Sequence, residues 1–134
     1  MIYYVLDSFA MIALFRNEPG KERVVKLFNE AVVDTVELHM SSLNVGELYY
    51  ILCRKNTRSF ASNALQKTLK LPVQIHEPSL NQTLFAAWLK SATKLSFADA
   101  HAAALTIHLK ATLITGDKEF DNLKGEENFK VEYL

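Results

Sequence analysis

Short apolar runs alternate along the chain with longer segments whose apolar residues recur every three or four positions. The short runs are rich in β-branched, aliphatic and aromatic residues, a pattern typical of strands buried on both faces of a sheet. They lie at residues 2–6, 36–41, 73–76 and 111–115, and a candidate last strand lies at residues 131–134. The sequence therefore predicts four or five short strands.

Helical spacing and capping residues predict two helices after each of the first three strands. Two helices are predicted at residues 9–15 and 22–33, a third opens at Ser42 or Asn44, and a fourth runs from Ser59 to just before Pro72. A fifth opens at Pro78-Ser79, and a sixth runs from Ala98 to Leu109. The predicted inward face of the fifth helix consists of Leu80, Leu84, Phe85, Trp88 and Ala92.

Alternation of helices with short buried strands indicates a parallel sheet, because parallel neighbours need crossover connections. We therefore predict an α/β fold, a three-layer α/β/α sandwich around a central, mostly parallel sheet. The chain has 134 residues, of which 49% are hydrophobic, and this suits a single domain over residues 1–134 with one core.

Charge and cysteine usage narrow the function classes. Lysine plus arginine and aspartate plus glutamate number 15 each, so net charge does not indicate nucleic-acid or membrane binding. A local basic run, Arg54, Lys55 and Arg58, is a candidate for holding substrate phosphates, although such runs are also typical of solvated helix faces. One cysteine and an N-terminal apolar stretch that Asp7 interrupts lead us to expect a cytoplasmic protein with no membrane association.

Four acidic residues lie where strand-like or loop segments give way to helices. Asp7 and Asp117 directly follow predicted strands, whereas Glu47 and Asp99 fall in predicted first turns. In a parallel sheet such residues converge at the carboxyl edge, where ligands bind. Four oxygen donors without cysteine or histidine partners suit Mg²⁺ or Mn²⁺. Metal-assisted phosphodiester hydrolysis is the reaction that this cluster favours.

Each acid also has a purely structural explanation. Asp7 and Asp117 occupy positions typical of helix caps, and the pairs Asn44–Glu47 and Ser96–Asp99 have the spacing of capping boxes. Caps and ligands are compatible roles, because helix N-termini favour carboxylates. The chain has no nucleophile elbow and no glycine-rich phosphate loop.

Three segments carry a resemblance to a known family: YVLDSFAMIALFRNEPG, SSLNVGELYYIL and LSFADAHAAALTIHLKATLITGDKEF. The chain resembles PIN-domain ribonucleases of the VapC-like toxin type, found in type II toxin–antitoxin pairs, nearly from end to end. The resemblance implies that the family's catalytic and metal-binding acids fall on Asp7, Glu47, Asp99 and Asp117. It assigns Ser8 and Thr115 as hydroxyls that orient a ligand or water.

The same resemblance implies Mg²⁺- or Mn²⁺-dependent endonucleolytic cleavage of RNA, a homodimer, and a cognate antitoxin protein that blocks the site with a basic segment. Two other interpretations stay open: a PIN nuclease that acts in RNA maturation, and a non-catalytic PIN-like module that binds RNA or protein. A phosphoaspartate enzyme of the haloacid-dehalogenase type is disfavoured, because it needs a second aspartate where this chain has Phe9.

Overall fold

The computed structural model describes residues 1–134, which form five strands, six α-helices and one 3₁₀-helix. The strands are β1 (Ile2–Leu6), β2 (Val36–Ser41), β3 (Gln74–His76), β4 (Thr112–Thr115) and β5 (Lys130–Tyr133). The α-helices are α1 (Ser8–Arg16), α2 (Lys21–Val32), α3 (Ser42–Lys55), α4 (Arg58–Lys70), α5 (Leu80–Ser91) and α6 (Phe97–Leu109). The 3₁₀-helix spans Lys118–Leu123, between β4 and β5.

All five strands are parallel and lie in the order β3-β2-β1-β4-β5. At the centre of the sheet, Tyr4 of β1 pairs with Leu38 on one side and with Thr112 on the other. From β1 the chain first adds strands on one side and later on the other, so the strand order reverses between β1 and β4. Ligands bind outside the carboxyl ends of strands at such a switch point.

The sheet separates two hydrophobic cores, where one core was expected, and the helices on both faces confirm the predicted three-layer α/β/α sandwich. Adjacent residues of a strand point to opposite faces, and Val5 and Leu6 accordingly belong to different cores, as do Leu113 and Ile114. Helices α1 to α4 cover the face of Leu6, and α5 and α6 cover the face of Val5. None of the helices combines the length and apolar character needed to cross a membrane.

The predicted inward face of α5 is correct only at Phe85, which is partly buried against the core that contains the alanine-rich α6. Leu80, Leu84 and Trp88 are 74%, 58% and 58% exposed, whereas Ala86 and Leu89 are buried against that core. Apolar residues occur all round α5, so spacing alone does not select the buried side. The small side chain of Ala86 allows α5 to approach α6 closely, and three of the predicted residues remain outside.

The predicted start of α3 is also corrected. Ser41 caps this helix by accepting a hydrogen bond from the backbone of Leu43, and Asn44 lies buried inside the first turn. The Nδ2 atom of Asn44 donates instead to the carbonyl of Ala98, at 3.4 Å. Glu47 consequently lies in the second turn of α3, and the Asn44–Glu47 spacing is not a capping box.

Phe120 anchors the 3₁₀-helix, since its side chain is fully buried and packs near Phe129. We expect Phe120→Ala to lower the free energy of unfolding by about 3–5 kcal/mol, because a large cavity would remain. Leu69→Ala, at a 58% exposed position of α4, is the matched control and should change it by less than about 0.5 kcal/mol. Urea denaturation measures both values, and a large loss for Leu69→Ala would contradict its exposed placement.

Candidate active site

A cleft of about 420 Å³ opens at the carboxyl edge of the sheet. All four acids singled out in the sequence line it: Asp7, Glu47, Asp99 and Asp117. Asp7 follows β1, Asp117 follows β4, Glu47 lies on α3, and Asp99 is the third residue of α6. The fold therefore brings together side chains that are up to 110 positions apart in the chain. Their roles as metal ligands stay a prediction.

Asp7 is the most buried of the four, with 1% of its surface exposed. Its Oδ1 atom caps α1 by accepting a hydrogen bond from the backbone of Ala10 at 3.0 Å. Burial raises the pKa of Asp7 to about 7, and the negative charges of Asp99 and Glu47 add to the increase, against hydrogen bonds from Thr115 and Ala10. A carboxyl group with this pKa holds its proton up to near neutral pH.

A second group of acids lies on the β4 side of the cleft. Carboxylate oxygens of Asp99, Asp117 and Glu119 all lie within 4.8 Å of one another. Burial raises the pKa of Asp99 to about 6, and Glu47 contributes next, while a hydrogen bond with Ser96 opposes the increase. The three oxygens are close enough for small side-chain rotations to bring them round one cation.

Glu119 is a member of this group that the sequence analysis missed. Asp117 caps the 3₁₀-helix by accepting from the backbone of Glu119 at 2.9 Å, a contact that keeps Glu119 next to it. The signal available in the sequence was the two-residue spacing after Asp117. The next acid, Asp121, is engaged elsewhere, since it accepts a hydrogen bond from the hydroxyl of Tyr133 at 2.6 Å.

Both predicted hydroxyl residues lie beside acids. The Ser8 hydroxyl donates a hydrogen bond to Oε1 of Glu47. Thr115 is fully buried, and its Oγ1 accepts from the backbone of Asp117 at 3.0 Å while its side chain also bonds Asp7. These contacts fix the position of each carboxylate relative to its neighbours.

The predicted basic residues divide into two groups. Arg54 and Lys55 line the cleft, whereas Arg58 begins α4 as an exposed residue outside the lining. Arg54 lies seven residues beyond Glu47 on α3, about 10 Å along the helix axis. Its guanidinium carbon is 5.1 Å from the ring centroid of Tyr50, a cation–π contact.

No cation of the protein neutralises the four acids. The ion pairs of the chain involve other carboxylates, namely Glu18, Glu30, Glu37, Asp121 and Glu132. None of the four histidines lines the cleft. The donor set is therefore oxygen alone, which suits hard divalent cations such as Mg²⁺ and Mn²⁺.

The raised pKa of Asp7 fixes the direction of a pH effect on the stability of the metal-free protein. Unfolded chains release this proton near pH 3.8, but the folded protein keeps it to about pH 7. The contribution of Asp7 to the free energy of unfolding is therefore fully present below pH 3.8 and is lost as the pH rises to about 7. We expect Asp7→Asn to stabilise the protein more at pH 8 than at pH 5, by about 2–3 kcal/mol.

Urea denaturation in EDTA at the two pH values measures this difference. Asp34→Asn is the control, because Asp34 is exposed on a turn and has a positive φ of 59° that asparagine tolerates. An equal effect of Asp7→Asn at pH 5 and pH 8 would show that Asp7 titrates normally.

Comparison with solved structures places the fold among toxin–antitoxin proteins. VapBC2 from Rickettsia felis, bound to a DNA fragment from its promoter, aligns with a TM-score of 0.76 at 18% identity over 99% of both chains. Mycobacterium tuberculosis VapC20, a sarcin–ricin loop cleaving toxin, gives 0.73 at 19% identity over 88% of this chain and 92% of that one. VapBC-1 from nontypeable Haemophilus influenzae gives 0.69 at 22% identity over 98% of both.

These identities are low enough that the structural likeness by itself shows the fold alone. No curated protein matches the sequence. The PIN domain family model, however, matches residues 4–126, a span that includes all four acids of the cleft and most of the chain. This chain belongs to the PIN domain family.

Proposed function

We propose that the protein is a Mg²⁺- or Mn²⁺-dependent endoribonuclease that hydrolyses RNA phosphodiester bonds, and that it is the toxin of a toxin–antitoxin pair in the cytoplasm. The observation that carries the proposal is the gathering of Asp7, Glu47, Asp99 and Asp117 in one cleft without a positive partner. The negative charges of these carboxylates repel one another, and a divalent cation relieves that repulsion.

The residues of the cleft fit a magnesium or manganese ion. Asp99, Asp117 and Glu119 would hold it from the β4 side, and Asp7 and Glu47 from the other walls. A bound ion would supply Lewis-acid polarisation of the phosphodiester and a lower pKa for water. The hydroxyl groups of Ser8 and Thr115 keep Glu47 and Asp7 in place.

The cleft offers a phosphate contact next to the acids. Arg54 and Lys55 lie on its wall, two helical turns beyond Glu47 on α3, where they would bind a phosphate beside the scissile one. Arg58 lies outside the lining and would contact more distant phosphates. VapC20, which has the same fold, is a sarcin–ricin loop cleaving toxin, and this supports RNA as the substrate.

Several structural neighbours are VapBC toxin–antitoxin proteins, which supports a cognate antitoxin as a partner. In that arrangement a basic segment of the antitoxin would occupy the acidic cleft. A homodimer is also part of the proposal, since Leu80, Leu84 and Trp88 supply exposed apolar surface on α5 that a second copy would cover.

The decisive measurement is RNA cleavage by the purified protein with Mg²⁺, with Mn²⁺ and with EDTA. We expect cleavage with either metal and none with EDTA. Asp7→Asn and Asp99→Asn should each lower the cleavage rate at least about 100-fold. Residues that only support a metal ligand typically cost about 10- to 100-fold, so the expected loss lies at or above that range. Asp34→Asn, which changes an exposed acid in a turn, should leave the rate unchanged.

Other results would overturn the proposal. Full activity of both Asp7→Asn and Asp99→Asn would exclude this site, and cleavage in EDTA would exclude metal dependence. RNA binding without cleavage in every metal would indicate a non-catalytic PIN module. Growth arrest on expression of the wild type, but not of Asp99→Asn, separates a toxin from an RNA-maturation nuclease.

A further inference from the structure

Phe9 is an aromatic residue that neither hydrophobic core uses. It lies in the first turn of α1, directly after Asp7 and Ser8, and lines the acidic cleft. Its side chain is 43% exposed, and it packs in neither of the two clusters that flank the sheet. Single exposed apolar side chains are common on protein surfaces, but a large ring that lines a cleft lies where it can contact a bound ligand.

Gly116 leaves the space that the Phe9 ring occupies. A Cβ atom added to Gly116 would lie 2.1 Å from Cε1 of Phe9, 2.4 Å from Cζ and 2.7 Å from Cδ1. Gly116 does not have a positive φ, so its backbone conformation does not require glycine. The missing side chain instead makes room for the Phe9 ring, which therefore lies against the backbone between Thr115 and Asp117.

A second exposed aromatic residue lines the same cleft. Tyr50 is 47% exposed, lies on α3 one turn beyond Glu47, and carries the guanidinium group of Arg54 near its ring. Aromatic rings beside a cationic phosphate contact are typical of proteins that bind single-stranded nucleic acid, because every base offers a flat face for stacking. Of the two aromatic residues, Phe9 is the one that lies on α1, two residues after Asp7.

We propose that Phe9 is a positioning residue that stacks on an unpaired base next to the scissile phosphate. The inference rests on the proposed ribonuclease function and adds to it the side chain that contacts a base beside the cleaved bond. Within a duplex each base is stacked between its neighbours, so an aromatic side chain reaches its face only when the nucleotide is splayed out.

The test combines protein and substrate changes on a short RNA whose cleavage site has been mapped. Phe9→Leu keeps an apolar side chain but removes the aromatic face, and we expect kcat/KM to fall about tenfold, through KM. Two further RNAs each lack one of the two bases that flank the cleaved bond. On the RNA that lacks the stacked base, Phe9→Leu should leave kcat/KM unchanged. Phe9→Trp should restore cleavage of the intact RNA.

Tyr3→Leu is the matched control, because Tyr3 is 38% exposed and lies near the opposite end of β1. It should leave KM unchanged. Equal losses for Phe9→Leu on intact RNA and on both abasic RNAs would overturn the stacking role. Equal cleavage of the RNA after annealing to a complementary strand would overturn stacking of Phe9 on an unpaired base.

Gly116→Ala gives an independent check, since it displaces the ring without changing Phe9. We expect the same rise in KM as for Phe9→Leu, and no further rise when both substitutions are combined. Gly125→Ala, where an added Cβ meets nothing within 4 Å, is the control. Additive effects of Gly116→Ala and Phe9→Leu would contradict the contact.

The two proposals fail in different ways. If the wild type cleaves no RNA with Mg²⁺ or Mn²⁺, the ribonuclease function itself is wrong. If the wild type cleaves RNA and Phe9→Leu has an unchanged KM, the ribonuclease function stands and only the role of Phe9 is wrong.

Discussion

Desolvation of acidic side chains at one edge of the sheet is the constraint around which this structure is organised. Asp7 and Asp99 are drawn out of water together with Glu47 and Asp117, and the pKa values of the first two rise as a result. Burial of unpaired carboxylates opposes folding. The two hydrophobic cores on either side of the sheet supply the stability that keeps this edge of the molecule together.

The fold also reduces the local cost through ordinary features of helix ends. Asp7 caps α1 and Asp99 lies in the first turn of α6, so both face the positive ends of helix dipoles. Ser96 caps α6 by accepting a hydrogen bond from the backbone of Asp99 at 3.1 Å. Capping positions therefore double as positions in the cleft, and a cap does not argue against a functional role.

The sequence predicted the site best where an acidic residue directly follows a predicted strand. The apolar runs at residues 2–6 and 111–115 predict strands of one parallel sheet, and parallel strands oblige the residues that follow them to share one edge. The convergence of Asp7 and Asp117 follows from that rule. Glu119 could not be foreseen in the same way, because its placement depends on how Asp117 caps a short 3₁₀-helix.

Other errors arose where a pattern fits two arrangements. Apolar residues surround α5, so the choice of buried side depended on the small residues of α6, which lie elsewhere in the sequence. Asn44 has the side chain of a helix cap, but Ser41 lies nearer the strand end and takes that position. Arg58 continues a basic run in sequence, yet the break between α3 and α4 carries it away from Arg54.

The bond from Asn44 to the carbonyl of Ala98 has a mechanical consequence. Asn44 lies one turn before Glu47, and Ala98 directly precedes Asp99, so this amide joins the two helices that carry opposing acids. Like charges push α3 and α6 apart, and the buried amide acts as a tie between them. The gap between the two walls is thus set by the polypeptide itself.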